Sequence, residues 1–305
     1  MPRRGPIVKN THEVAEVLGA PVPFLRAVNR RDVGDDRKFP FSVPVIRALE
    51  SVAFPTAVTF FVGENGSGKS TLLEGIATAA KVPAVGAADL GADATLASQR
   101  ELGNALRLVW NRRSHRGFFL RAEDFFGFTK RVSAMRVEFL QRLAALELEY
   151  ADRSAWAKGL AMGPPKASLA ELEWRYGVDL DANSHGQSFL RLFQSRFVPG
   201  GLYLLDEPEA PLSPQSQLAL MVLMQDMIAQ DAQFIIATHS PILLAYPGAT
   251  IYSFDRVPAA AVEYGELEHV ILTRDFLNHP ERYLRALREP RKSAPLQNPP
   301  CGGSS

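Results

Sequence analysis

Cysteine occurs once in the 305 residues, as Cys301 in the closing run Pro299-Pro300-Cys301-Gly302-Gly303-Ser304-Ser305. That excludes an internal disulfide and any cluster of cysteine metal ligands. An excess of charge of either sign is also missing: 34 Lys and Arg stand against 33 Asp and Glu, a formal +1. No chain-wide field therefore draws the protein to nucleic acid or to an anionic membrane, and any such attraction has to come from a local patch. Apolar runs all fall short of the roughly 18 residues of a membrane span, and Met1-Pro2-Arg3-Arg4 leads into no apolar signal core. The expectation is a soluble protein of a reducing cytoplasm with no transmembrane segment. Repeats and long heptad runs are absent too, which excludes a solenoid and an extended coiled coil. What is present is 46% hydrophobic against 22% charged residues, enough to bury a sizeable core.

The pattern along the chain predicts an α/β fold, a mixed sheet flanked by helices with an inserted helical lobe. Phe24 to Arg31 and Pro44 to Phe54 read as strands or short edge segments separated by a charged, turn-rich stretch, and Ala57 to Val62 as a buried strand ending abruptly at Gly63. A helix follows over Ser70 to Ala80. Leu90 to Leu102 reads as a helix, and Ala105 to Trp110 and Gly117 to Leu120 as strands around a basic turn. Val132, Met135, Phe139, Leu143, Leu146 and Tyr150 recur in steps of three and four, as one face of a helix does, so the lobe is placed at about 128–183. Helix, strand, helix and strand then alternate from Gly186 to Thr238. One domain over 1–285 and a disordered tail over 286–305, poor in apolar residues, complete the expected organisation.

Gly63-Glu64-Asn65-Gly66-Ser67-Gly68-Lys69-Ser70, with Thr71 next, is a full P-loop pattern between a strand and a helix. The glycines let successive backbone N–H groups and a helix N-terminus face a phosphate. In such a cradle Lys69 reaches the β- and γ-phosphates, and Ser70 gives a hydroxyl to Mg²⁺. Leu202 to Leu205 form an apolar strand ending in Asp206-Glu207-Pro208, two carboxylates that the strand end aims at a nucleotide: Asp206 for Mg²⁺ and Glu207 to prepare the attacking water. Ala237-Thr238-His239-Ser240 follows a further apolar strand, expected beside the acid-bearing one, and suits a contact from His239 to the γ-phosphate.

P-loop, Asp-Glu-Pro and the later Thr-His-Ser together resemble the nucleotide-binding core of the ABC ATPase superfamily. Within it the chain is similar to the small stand-alone bacterial predicted ATPases labelled "AAA family", ABC-like despite that label and akin to SMC and RecF-like domains. The resemblance covers about 39–255. It implies ATP and Mg²⁺ as cofactors, ATP hydrolysis, and a homodimer with ATP at the interface, each ATP also touched by a signature loop of the other copy. Ser184-His185-Gly186-Gln187 is the segment in the right place for that loop, with His185 where the pattern has a glycine. The resemblance also implies a glutamine near Phe118 to Asp124, and none is there. Arg121 or Glu123 stands in its place, as a functional group or as half of a strand-end salt bridge. An adenine-stacking aromatic is expected at Phe39 or Phe41, and a partner-touching loop around Ser213.

The function read from these residues is an ATP-driven switch acting on an unidentified partner. Three alternatives stand beside it: the ATPase component of a membrane transporter, a DNA-linked ATPase of repair or phage defence, and a nucleotide-binding sensor that does not turn over. Arg107, Arg112, Arg113, Arg116 and Arg121 form a local charge cluster that reads first as solvated surface and otherwise as a contact for a polyanion.

Overall fold

The computed structural model describes residues 23–31, 35–85, 97–176 and 185–288. Two units separate along the chain, Met1–Tyr264 and Gly265–Ser305. The first is an α/β unit built on two sheets.

The larger sheet has six strands in the order β5-β6-β7-β3-β8-β9. These are β5 (Gly117–Arg121), β6 (Leu202–Asp206), β7 (Gln233–Ala237), β3 (Val58–Val62), β8 (Thr250–Ser253) and β9 (Ala260–Ala261). All neighbours are parallel except β8 and β9, so the sheet is mixed, the fold class expected with the resemblance. Every residue of β3, β6 and β7 is buried, which is why these strands read as largely apolar runs rather than as alternations. Register then sets the site: Arg121 lies opposite Asp206, Asp206 opposite Ala237, and Ala237 opposite Phe61. The carboxyl ends of four strands are therefore level, and the loops leaving them emerge on one edge, where open parallel sheets bind ligands.

The smaller sheet is antiparallel, β2-β1-β4, from β1 (Leu25–Arg30), β2 (Ser51–Ala53) and β4 (Leu106–Trp110). The buried Gln233 side chain joins the sheets. Its Oε1 accepts from the Leu25 N–H at 2.8 Å and its Nε2 donates to the Leu25 carbonyl at 2.9 Å, replacing a strand neighbour that Leu25 lacks there. The stretch expected to be a strand from Pro44 differs: Pro44–Arg47 is a helical turn, α1, with Pro at its first position and Val45 and Ile46 buried. Proline at N1 is preset for a helix and loses no hydrogen bond there.

Helix α2 (Lys69–Ala80) buries Leu72, Leu73, Ile76 and Ala77 against the larger core. Gly75 admits Leu102 of α3 (Ala97–Ala105), since a Cβ there would meet its side chain at 2.8 Å. The lobe region holds two long helices, α4 (Ala122–Glu149) and α5 (Ala155–Tyr176), joined by Arg136–Glu173 and Lys158–Glu147 ion pairs. Of the predicted stripe on α4, Val132 and Leu146 are buried while Met135 is exposed; the helix begins at Ala122, ahead of Val132, the first residue of that stripe. Helix α6 (His185–Arg196) packs Phe189 and Phe193 edge-to-face, within an aromatic cluster that continues through Phe118, Phe197, Tyr203 and Phe234. Helices α7 (Pro214–Ile228) and α8 (Pro241–Leu244) complete this unit.

In the second unit α9 (Glu268–Asn278) and α10 (Pro280–Arg288) form a short hairpin. The Tyr283 hydroxyl donates to Asp275 at 2.6 Å, and the Tyr283 ring meets Phe276 edge-on. Residues 286–288 are thus helical; the remainder of the expected tail, 289–305, lies outside the described residues.

Candidate functional site

The chain leaves β3 at Gly63, turns through Glu64 to Ser67, and enters α2 by way of Gly68, whose φ of 103° only glycine adopts readily. A Cβ on Gly68 would lie 2.8 Å from Val43 Cγ1, so the loop before α1 presses directly on the P-loop. Asp255, just beyond β8, accepts the Glu64 N–H at 2.7 Å and braces the loop from the other side. Glu64, Asn65 and Gly66 at the apex are exposed, and Ser70 and Thr71 in the first turn of α2 are half-buried. The Ser67 hydroxyl oxygen is buried with no hydrogen-bond partner among the described residues.

Lys69 is buried, and its Nζ donates to the carbonyls of Gly63 at 2.6 Å and Glu64 at 2.9 Å. Burial pushes its pKa down, opposed by the negative charges of Glu207 and Asp206. The Ser70 hydroxyl donates to Asp206 Oδ1 at 3.0 Å, linking the P-loop helix to the last residue of β6. Burial raises the Asp206 pKa to about 7; the Ser70 hydrogen bond and Arg121 pull it down, and Glu74 and Glu207 push it further up.

Glu207 follows with φ 49°, a left-handed conformation rare for a residue with a side chain. Its N–H donates to the Ala237 carbonyl at 2.8 Å, continuing the ladder for one step while the turn redirects the side chain. This resolves how two successive acids at a strand end serve one edge. His239 Nε2 is buried, without a hydrogen bond among the described residues, and stands 3.9 Å from Glu207 Oε1. The His239 N–H donates to Glu209 Oε1 at 2.7 Å, and Ser240 caps α8 while bonding Gln217.

Gly63 to Thr71, Asp206, Glu207 and His239 are therefore gathered on one edge. Of the signature segment, Ser184 lies outside the described residues; Gly186 and the exposed Gln187 occupy the first turn of α6, with no hydrogen bond to the P-loop among the described residues. At the expected glutamine position the strand-end salt bridge is what forms: Arg121 binds Glu74 of α2 at 2.6 Å and approaches Glu123 at 3.6 Å. Phe41 is a core residue under the Arg30 guanidinium, not a free stacking surface, whereas Phe39 is exposed. Ser213 caps α7 through the Ser216 N–H. Sequence reasoning did not find Asp255, Glu209 or Glu74. The first lies just past β8 at the same sheet edge, a position that could have signalled it, but the others meet their partners only through the fold.

The donor set fits a magnesium nucleotide. A hydroxyl and a carboxylate are the hard oxygen ligands Mg²⁺ takes through one or two protein groups, and the buried Lys69 and unpartnered Ser67 hydroxyl lie beside them.

Residues 188–245 match the family model described as "AAA domain, putative AbiEii toxin, Type IV TA system". No curated protein matches the chain. Among solved structures it resembles the ADP conformation of MJ1267, an ATP-binding cassette of an ABC transporter, at 16% identity and TM-score 0.40, covering 87% of this chain and 99% of that one. It also resembles cbiO1 from Clostridium perfringens, part of the ABC transporter complex cbiONQ, at 16% identity and TM-score 0.41, covering 88% and 100%. The Pyrococcus furiosus Smc head domain bound to the C-terminal domain of ScpA is similar at 12% identity and TM-score 0.40, covering 88% and 100%. At such TM-scores these likenesses add nothing to the sheet order and the motifs, which stand on their own. A P-loop leaving β3, an acid pair ending β6 with β7 between them, and a family match confined to residues 188–245 thus fall together in one α/β unit.

Proposed function

We propose that the protein binds ATP on the P-loop and hydrolyses it to ADP and phosphate in a homodimer that holds ATP at its interface, coupling closure and opening to a partner. The observation that carries this reading is the Ser70–Asp206 contact, which brings together side chains 136 positions apart as an oxygen pair for Mg²⁺. Mg²⁺, when bound, would neutralise charge on the phosphates. Backbone N–H groups of Gly66 to Ser70 and the Lys69 ammonium hold the β- and γ-phosphates, with the Thr71 N–H and side chain in the same first turn. Glu207, redirected by its left-handed backbone, takes the proton of the attacking water, and His239 beside it contacts the γ-phosphate. The exposed apex at Glu64, Asn65 and Gly66 leaves that face open to the second copy, whose Ser184, Gly186 and Gln187 would complete the site.

Nucleotide titration tests the reading. Wild type is expected to bind ATP with an affinity that rises on adding Mg²⁺, and Lys69→Ala to lose that affinity while remaining folded. Equal ATP affinity in the two proteins would overturn it.

A further inference from the structure

We propose that the cleft between the C-terminal end of α2 and strand β4 binds single-stranded nucleic acid, with phosphates on its arginines and a base on Trp110. The cleft encloses about 720 Å³ at the end of α2 opposite the P-loop. Arg31, Lys81, Arg107, Arg113 and Arg116 line it, and no carboxylate is among its described lining residues.

The fold sorts the basic cluster of the sequence into two kinds. Arg112 pairs with Asp231 and covers the Phe24 ring, and Arg121 is held by Glu74; both are structural. Arg31, Lys81, Arg107 and Arg113 are exposed, and each lacks an acidic partner among the described residues. The Arg116 guanidinium donates to the Pro199 carbonyl at 3.2 Å and has no acidic partner among the described residues. Five cations with no acidic partner among the described residues, in a chain of net charge +1, make a local field that an extended polyanion fits better than a single small anion.

Trp110 selects among polyanions. It is half-buried, packed on the core and lining the cleft, so an indole surface lies within the cationic wall. Aromatic surface flanked by cations is how single strands are held without sequence preference, since every base has a stacking face. A duplex keeps its base faces inside and offers none to Trp110.

The test is fluorescence anisotropy of a labelled oligothymidylate against the full chain at several salt concentrations, without nucleotide. Wild type is expected to bind, more weakly as salt rises. Arg107→Glu with Arg113→Glu is expected to weaken binding at least tenfold and to flatten the salt dependence by about 0.7 in log–log slope for each phosphate no longer neutralised. Trp110→Leu is expected to cost about fivefold or more, the low end of one stacked base, with Trp110→Phe recovering most of it. Circular dichroism checks the folding of each variant; should Trp110→Leu fail to fold, the arginine variants, on the exposed surface, still decide. Absence of binding by wild type at low salt, undiminished binding by the arginine variant, or equally tight binding of a base-free polyphosphate would each overturn the proposal. Lys69→Ala keeps strand binding in this account, so a failure of the cleft leaves the nucleotide site untouched, and a failure of the nucleotide site leaves the cleft.

Discussion

The Arg121 guanidinium lies 2.6 Å from the Glu74 carboxylate, joining the end of β5 to the P-loop helix one strand from Asp206. Both side chains are largely buried, at 16% and 12% exposure, so neither charge is well solvated if the other is removed. Arg121→Ala is expected to lower stability by about 3 kcal/mol, the low end for removing one partner of a buried ion pair. Adding Glu74→Gln should recover most of that loss, and a double-mutant cycle by chemical denaturation measures the coupling. Additive effects of the two changes would show the pair to be energetically idle.

Asp206 gives the fold a definite pH dependence. Its pKa is raised from 3.8 to about 7, so between those values the native state keeps a proton that the unfolded chain has released. Stability is then greatest below the unfolded value, falls as pH rises through about 4 to 7, and is level above. Three pKa units correspond to an upper bound of about 4 kcal/mol. Asp206→Asn, which keeps an acceptor for Ser70, is expected to raise the melting temperature at pH 8 in magnesium-free buffer and to abolish the gain from Mg²⁺ with ATP. A melting temperature unchanged or lowered at pH 8 would contradict the buried-charge account.

The P-loop glycines differ in what they protect. Gly66 has φ 81° with nothing near a Cβ, so Gly66→Ala meets only the left-handed backbone penalty, about 1–2 kcal/mol. Gly68 has φ 103° and also Val43 at 2.8 Å, so Gly68→Ala is expected to cost more in thermal stability. Adding Val43→Ala to Gly68→Ala should recover part of the loss, and the same addition to Gly66→Ala should recover none.

Much of this was legible from sequence because the decisive signals are local. Eight consecutive residues specify the phosphate loop, and the largely apolar β3, β6 and β7 announce strands buried on both faces. Pro44 to Arg47 misled because a short apolar run suits either a strand or a turn of helix, and the proline that decides it is one residue. Glu207's positive φ and the Arg121–Glu74 pair were beyond reach for another reason: the first is imposed by the hydrogen bond to Ala237 on the next strand, the second by packing of α2 against the sheet. The basic cluster shows the same limit, since spacing alone does not separate Arg112, paired with Asp231, from Arg113, which has no acidic partner among the described residues.

The most direct test of the nucleotide site is ATP turnover by Glu207→Gln beside wild type, with Mg²⁺-dependent ATP affinity measured on both. The account predicts that the variant keeps its affinity and loses turnover by at least about 100-fold, the low end for removing a catalytic base. Wild-type turnover in the variant, or no turnover by the wild type itself, would contradict it.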